Sequence, residues 1–151
     1  MDSPFNHLTL MQFCWAFLSI SGFCVRVNLR GFKIFFIAIA AGLDWAVYLI
    51  FLYYTRSVLL SVFVATTLVA VYCEIVARLC KTPVSVFVTC AIIPLVPGRS
   101  LFYAMQAYIS ADRALASNHI ADVLLIAGTI SIAIAIVASI TNLSMRLMNR
   151  F

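Results

Sequence analysis

Apolar runs about as long as a membrane is thick constrain this chain more than any other feature. Five of them follow one another, near residues 8–25, 34–54, 58–77, 84–109 and 123–143. A helix needs about 20 apolar residues to cross a hydrocarbon core of roughly 30 Å. Because only 10% of the residues are charged and the mean hydropathy is +1.11, no room remains for a soluble domain. We therefore predict an all-α, polytopic membrane protein with a single transmembrane domain over residues 1–151.

The basic residues predict the orientation of the protein in the membrane. With five spans, the connections alternate between the two sides, and Arg56 and Arg113 fall on the side of the N-terminus. The other side collects most of the positive charge: Arg26, Arg30, Lys33, Arg78, Lys81, Arg146 and Arg150. Cytoplasmic connections are enriched in Lys and Arg, so we expect an outside N-terminus and a cytoplasmic C-terminus. The basic residues form no continuous patch, and the net charge of +5 therefore does not indicate nucleic-acid binding.

The sequence gives no indication of a cofactor, a metal site or an enzyme. No phosphate-binding loop and no pairing of a nucleophile with a base is found. The cysteines have no CxxC spacing, and we interpret them as small packing residues; they are Cys14, Cys24, Cys73, Cys80 and Cys90. If the protein is a transporter, its energy must come from a gradient of ions or solutes.

The fourth apolar run contains two prolines and a glycine, which predicts a broken helix. Pro94 and Pro97 have no N–H to donate, and each disfavours helical geometry in the residue before it, Ile93 or Val96. The segment from Val84 to Ile93 would be about 15 Å long as a helix, which places the break near mid-membrane. Backbone groups left unpaired in hydrocarbon cost several kcal/mol each, so such breaks occur where they line a cavity or a substrate path.

A second half-helix is expected to begin around Gly98 to Ser100 and to bind the substrate. Its electropositive N-terminus and the guanidinium of Arg99 would meet at the break, an arrangement that suits a carboxylate. Tyr103 and Gln106 follow Arg99 on the same helical face. The predicted substrate-binding residues are Pro94, Pro97, Gly98, Arg99, Ser100, Tyr103 and Gln106. The alternative is a proline kink that only shapes packing, with Arg99 neutralised permanently by Asp44.

Asp44 is the single charge within the second span, at a depth similar to that of Arg99. Charged residues inside a membrane usually pair with one another or face a polar cavity. Two roles are open: Asp44 is the counter-charge of Arg99, or it carries a proton that is coupled to transport.

Four other polar residues are given structural interpretations. Glu74 and Arg78 are four residues apart and are expected to pair at the membrane interface. His119 and Asp122 lie in or beside a polar connection that begins at Ser110, and we expect them to be solvated.

Small residues recur at spacing four on two spans. They let helices approach closely in a membrane, where lipid supplies no hydrophobic drive for association. Each stripe could serve packing within this chain or an interface with another subunit, and the sequence favours neither role. The stripes are Ala38, Gly42 and Ala46 on the second span and Ala127, Ser131, Ala135 and Ser139 on the fifth.

The sequence Ala-Ile-Ile-Pro-Leu-Val-Pro-Gly at residues 91–98, followed by Tyr103 and Met105, resembles the central motif of the threonine/serine exporter (ThrE) family. The likeness is closest to its short, YjjB-like subunit. It extends over most of the chain, including the five spans and the stretch from Gly22 to Lys33. The motif positions carried over are Pro94, Pro97, Gly98 and Tyr103, whereas Arg99 and Asp44 lie outside the motif.

The resemblance implies a function and a partner. In this family a five-span short subunit works with a larger YjjP-like subunit in the bacterial inner membrane, and the substrates are threonine and serine or, in the split form, succinate. We therefore expect a membrane subunit of a secondary exporter for small carboxylate metabolites. Five short helices enclose little space, so a partner chain or a homo-oligomer is expected. The alternatives are a non-transporting accessory subunit and a homo-oligomeric channel.

Overall fold

The computed structural model describes the backbone of residues 7–29 and 31–148 and the side chains of residues 11–29 and 31–144. In this part of the chain all regular structure is helical. The elements are α1 (His7–Arg26), α2 (Lys33–Thr55), α3 (Val58–Leu79), α4 (Val84–Ala91), a 3-10 turn (Ile93–Leu95), α5 (Gly98–Ile109) and α6 (Arg113–Met148). Of the basic residues that predict the orientation, Arg30 and Arg150 lie outside the described residues, as does the side chain of Arg146.

Several helices have the length and composition of membrane spans. Within the described residues α2, α3 and α6 are each long and apolar enough to cross a membrane, and the bent pair of α4 and α5 supplies a fourth candidate. α1 is 20 residues long and packs against α2. The predicted fold class, an all-α polytopic membrane protein, is confirmed.

The core of the bundle consists largely of small residues at the contacts among α1, α2, α3 and α4. Ala40 and Ala41 of α2 are fully buried, and so are Cys24 of α1 and Cys73 of α3. Gly42 packs directly on α1, because a Cβ atom at this position would lie only 2.5 Å from Cε2 of Phe13. Small residues therefore set the separation of these helices.

The two small-residue stripes have different environments. On α2, Ala38 and Gly42 are buried within this chain. On α6 the whole stripe faces outward, away from the rest of the bundle: Ala127, Ser131, Ala135 and Ser139. Packing within the chain thus accounts for the α2 stripe, and the described residues leave the α6 stripe uncovered.

The predicted break in the fourth apolar run is confirmed. α4 ends at Ala91 and α5 begins at Gly98, and the two parts of the bent pair meet at 41°. Val96 is extended as expected, with φ −58° and ψ 129°. Ile93 is not extended as expected, because it begins the 3-10 turn together with Pro94. The first residues of a helix have N–H groups without an intrahelical partner, so a proline there loses no bond.

α6 begins at Arg113, which corrects the prediction of a polar connection from Ser110 to His119. Oδ1 of Asp112 accepts a hydrogen bond of 3.0 Å from the backbone N–H of Leu115, and this cap starts the helix early. With 36 residues, α6 is about 54 Å long at 1.5 Å per residue. It is longer than a hydrocarbon core of roughly 30 Å, so more residues are helical here than a span perpendicular to the membrane needs.

Candidate functional site

The restart of the broken helix provides backbone donors without acceptors. The N–H of Gly98 donates to the carbonyl of Val96 at 2.7 Å, and that of Leu101 donates to the carbonyl of Pro97 at 3.1 Å. Between them, the N–H groups of Arg99 and Ser100 find no backbone acceptor among the described residues. Together with the positive end of the α5 dipole, these two groups can bind an anion.

Arg99 belongs to the same first turn of α5 and carries its positive charge on the outward face of the bundle. Gly98 and Arg99 are exposed, whereas Pro94, Pro97 and Ser100 are half-buried. The predicted residues around the break therefore do come together, and among the described residues they form an open surface.

An aromatic stack holds Arg99 in place. The guanidinium carbon of Arg99 lies 5.5 Å from the centroid of the Tyr103 ring, within the range of a cation–π interaction. On α6, the ring of His119 stacks on Tyr103 with a centroid distance of 5.7 Å and an angle of 29°. Gln106 lies one turn further along α5 and is exposed. Arg99, Tyr103 and Gln106 thus share one face, as the spacing predicts.

His119 belongs to this site although the sequence interpretation placed it in a solvated connection. Its position follows from the early start of α6, because the cap at Asp112 makes residues 113–119 helical and turns His119 toward α5. The sequence contained a usable signal, since an Asp followed by Arg-Ala-Leu-Ala is a typical helix start.

Asp44 is fully buried in α2, and it forms no ion pair with Arg99, which was one of the two roles that the sequence left open. Neither carboxylate oxygen of Asp44 has a hydrogen-bond partner among the described residues. The salt bridge that the described residues do form joins Nη2 of Arg78 to Oε2 of Glu74 at 2.9 Å. The sequence prediction for Glu74 and Arg78 is therefore confirmed as an ion pair, and Arg99 is not the counter-charge of Asp44 in this conformation.

A second unpartnered polar group, the hydroxyl of Thr66, lies on the neighbouring helix α3. Thr66 is fully buried and its Oγ1 has no partner among the described residues. In contrast, eight other hydroxyls each donate to the carbonyl four residues before them: those of Ser21, Thr55, Ser61, Thr67, Ser110, Thr129, Ser131 and Thr141. Of the two fully buried hydroxyls, that of Ser61 donates to the Ser57 carbonyl at 2.7 Å, whereas that of Thr66 has no partner among the described residues.

Asp44 and Thr66 lie on neighbouring helices that pack against each other. Two contacts join α2 to α3: the Tyr72 hydroxyl lies 3.5 Å from the Phe36 carbonyl oxygen, and the hydroxyls of Thr55 and Ser61 are 3.4 Å apart. Asp44 and Thr66 are both fully buried, and neither side chain has a hydrogen-bond partner among the described residues. The core of the bundle therefore contains a carboxyl and a hydroxyl that are both unsatisfied.

The comparisons with known proteins point to one family. The sequence profile of the family described as Threonine/Serine exporter, ThrE, matches residues 12–140 of the chain. Neither the curated proteins nor the solved structures contain a match.

Proposed function

Since this chain belongs to the threonine/serine exporter (ThrE) family, we propose that it binds the carboxylate of its substrate at the break between α4 and α5. Membership of the family supports threonine/serine exporter-type transport across a membrane. The observation that carries the proposal is the group of donors at the start of α5. The first turn of α5, where a span is interrupted, supplies the free N–H groups of Arg99 and Ser100 and the guanidinium of Arg99, which lies over the ring of Tyr103. Threonine, serine and succinate all present a carboxylate to such donors.

The proposed roles of the site residues follow from their positions. Pro94 and Pro97 interrupt the helix and Gly98 starts it again, so that the donors lie inside the membrane. Arg99 and Ser100 bind the carboxylate. Tyr103, which is stacked on His119, restrains the guanidinium, and Gln106 contacts the rest of the substrate.

A partner subunit completes the site in this proposal. A guanidinium near mid-membrane costs about 3 kcal/mol or more if it faces hydrocarbon, and Arg99 is exposed on the outside of the bundle. A larger, YjjP-like chain in the same bacterial inner membrane would cover it with a polar surface. A second copy of this chain could also cover Arg99. Transport by the purified chain alone in liposomes distinguishes a homo-oligomer from a complex with the larger chain.

In this proposal, Asp44 couples transport to the movement of a proton. An ionised carboxylate that is buried without a partner costs several kcal/mol, so this conformation favours an Asp44 that has bound a proton. Among the described residues, no cluster of three or more His, Cys, Asp and Glu side chains could hold a metal ion. The site thus fits a proton better than a multivalent cation.

Export from cells that carry or lack this gene tests the function. With the larger subunit present, we expect the gene to increase efflux of threonine and serine or of succinate, and to do so without changing the amount of the larger subunit in the membrane. An effect only on the amount of the partner would instead identify an accessory subunit. Transport by the purified chain alone in liposomes would identify a homo-oligomer, and equal efflux with and without the gene would contradict the proposal.

A further inference from the structure

A cleft between α3, α4 and α6 lies on the α4 side of the break and has no part in the carboxylate site. Its volume is about 310 Å³, which is ample for a small amino acid. Most of its wall is apolar and is formed by residues such as Val88, Ile134 and Val137. The cleft extends from Val84, at the start of α4, to Ile92, directly before the 3-10 turn. It therefore leads along about 12 Å of helix from one end of the bundle to the break.

Three polar side chains line this cleft, and each has an acceptor oxygen to spare. Arg78 contacts only Oε2 of Glu74, at 2.9 Å, and no donor among the described residues reaches Oε1. Ser85 and Thr89 lie four residues apart on one face of α4 and are exposed; the side-chain hydrogen bonds among the described residues of α3 and α4 involve neither of them. Oε1 of the Glu74 carboxylate and the hydroxyls of Ser85 and Thr89 thus line a cleft that is otherwise apolar.

This set of acceptors matches an ammonium group. An ammonium has three N–H donors and no acceptor, and a carboxylate with hydroxyls is the complementary arrangement. A second carboxylate would be repelled by Glu74, because like charges in a poorly hydrated cleft interact strongly. Glu74 and Val84 lie at the end of the cleft that is nearest Arg78 and Lys81, and the distribution of basic residues assigns this end to the cytoplasm.

We propose that this cleft is an entry subsite in which Glu74, Ser85 and Thr89 bind the ammonium group of an amino acid before its carboxylate reaches Arg99. The inference rests on the proposed function and specifies its substrate class. An amino acid binds through Glu74 at the cytoplasmic end of the path, whereas a dicarboxylate such as succinate is disfavoured there. The ion pair with Arg78 holds the Glu74 side chain in position and leaves Oε1 for the ligand.

Binding of two matched probes to the purified full-length protein, in complex with its partner where one is required, tests this subsite. L-threonine and 3-hydroxybutanoate differ by the ammonium group alone. We expect the wild-type protein to bind L-threonine more tightly, and we expect Glu74→Gln to weaken L-threonine binding about tenfold, as for a hydrogen bond to a charged group, without affecting 3-hydroxybutanoate. The double variant Ser85→Ala with Thr89→Val keeps the ion pair between Glu74 and Arg78. It should also lower the affinity for L-threonine relative to that for 3-hydroxybutanoate.

The control is Arg78→Gln, which removes the ion pair but keeps the Glu74 carboxylate. It should retain the preference for L-threonine. If the ratio of the two affinities is the same in the wild type, in Glu74→Gln and in the Ser85/Thr89 variant, the subsite does not exist and Glu74 serves only the ion pair. Failure of the carboxylate site would give a different result. In that case neither probe binds the wild-type protein, or the Arg99→Ala variant binds both probes as tightly as the wild type does.

Discussion

Replacing Arg99 with alanine is expected to weaken binding of a carboxylate substrate by about 10- to 100-fold. Hydrogen bonds to charged groups contribute roughly 1.5–3 kcal/mol each, and Arg99 is the charged donor at the start of α5. The variant leaves the free N–H groups of residues 99 and 100 in place, so binding is weakened and not abolished. Isothermal titration of the purified protein with L-threonine measures the change. Threoninol, which lacks the carboxylate, should bind the variant and the wild type equally.

Two further variants make this result specific. Arg99→Lys keeps the charge but loses the planar fork of the guanidinium, and should give an intermediate affinity. Arg113→Ala removes an exposed arginine from the first turn of α6, outside the site, and should leave the affinity unchanged. Equal losses in Arg99→Ala and Arg113→Ala, or an equal loss for threoninol, would show that Arg99 acts through general charge and not as a carboxylate ligand.

Replacing Asp44 with asparagine is expected to abolish transport that is driven by a proton gradient while the protein remains folded. Neither carboxylate oxygen has a hydrogen-bond partner among the described residues, so the amide breaks no bond that the structure shows. The side chain keeps its shape but can no longer take up and release a proton. In proteoliposomes, efflux driven by a pH difference should fall at least tenfold, whereas exchange of labelled for unlabelled threonine, which needs no net proton movement, should continue.

Thr66 and Asp122 supply the controls for this experiment. Thr66→Val keeps the shape of the side chain but removes the buried free hydroxyl on the neighbouring helix α3, and should slow proton-driven efflux less than Asp44→Asn does. Asp122→Asn changes an exposed acid on α6 and should have no effect. If Asp44→Asn transports with the pH dependence of the wild type, Asp44 carries no coupled proton.

The elements that could be predicted from the sequence are those that local physics determines. The bilayer fixes the length of an apolar helix, so the hydropathy of the chain was sufficient to predict an all-α membrane protein. Pro94 and Pro97 act on their own backbone and on the residue before them, and the break was therefore found at the correct place. The departure at Ile93 is also local, since a 3-10 turn accepts a proline near its start.

Features that depend on the rotation of one helix against another could not be predicted. Asp44 and Arg99 were assigned similar depths, but depth does not determine direction: Asp44 faces the interior between helices and Arg99 faces outward. The stack of His119 on Tyr103 depends on where α6 begins, which is set by the cap at Asp112. The free hydroxyl of Thr66 is buried by the neighbouring helices, and no sequence pattern identifies it.

The account depends above all on a break that water and substrate can reach from inside the membrane, and the reactivity of a cysteine at position 100 tests this most directly. Ser100→Cys is introduced where Cys14 and Cys80 have been replaced by serine; the remaining Cys24, Cys73 and Cys90 are buried. A charged methanethiosulfonate should label position 100 rapidly in membranes that contain the complete transporter, and L-threonine should slow the labelling. Ser131→Cys, exposed on α6 away from the site, should show no such protection. Labelling of Ser100→Cys that is no faster than that of Ser131→Cys, or that threonine does not slow, would contradict the central claim.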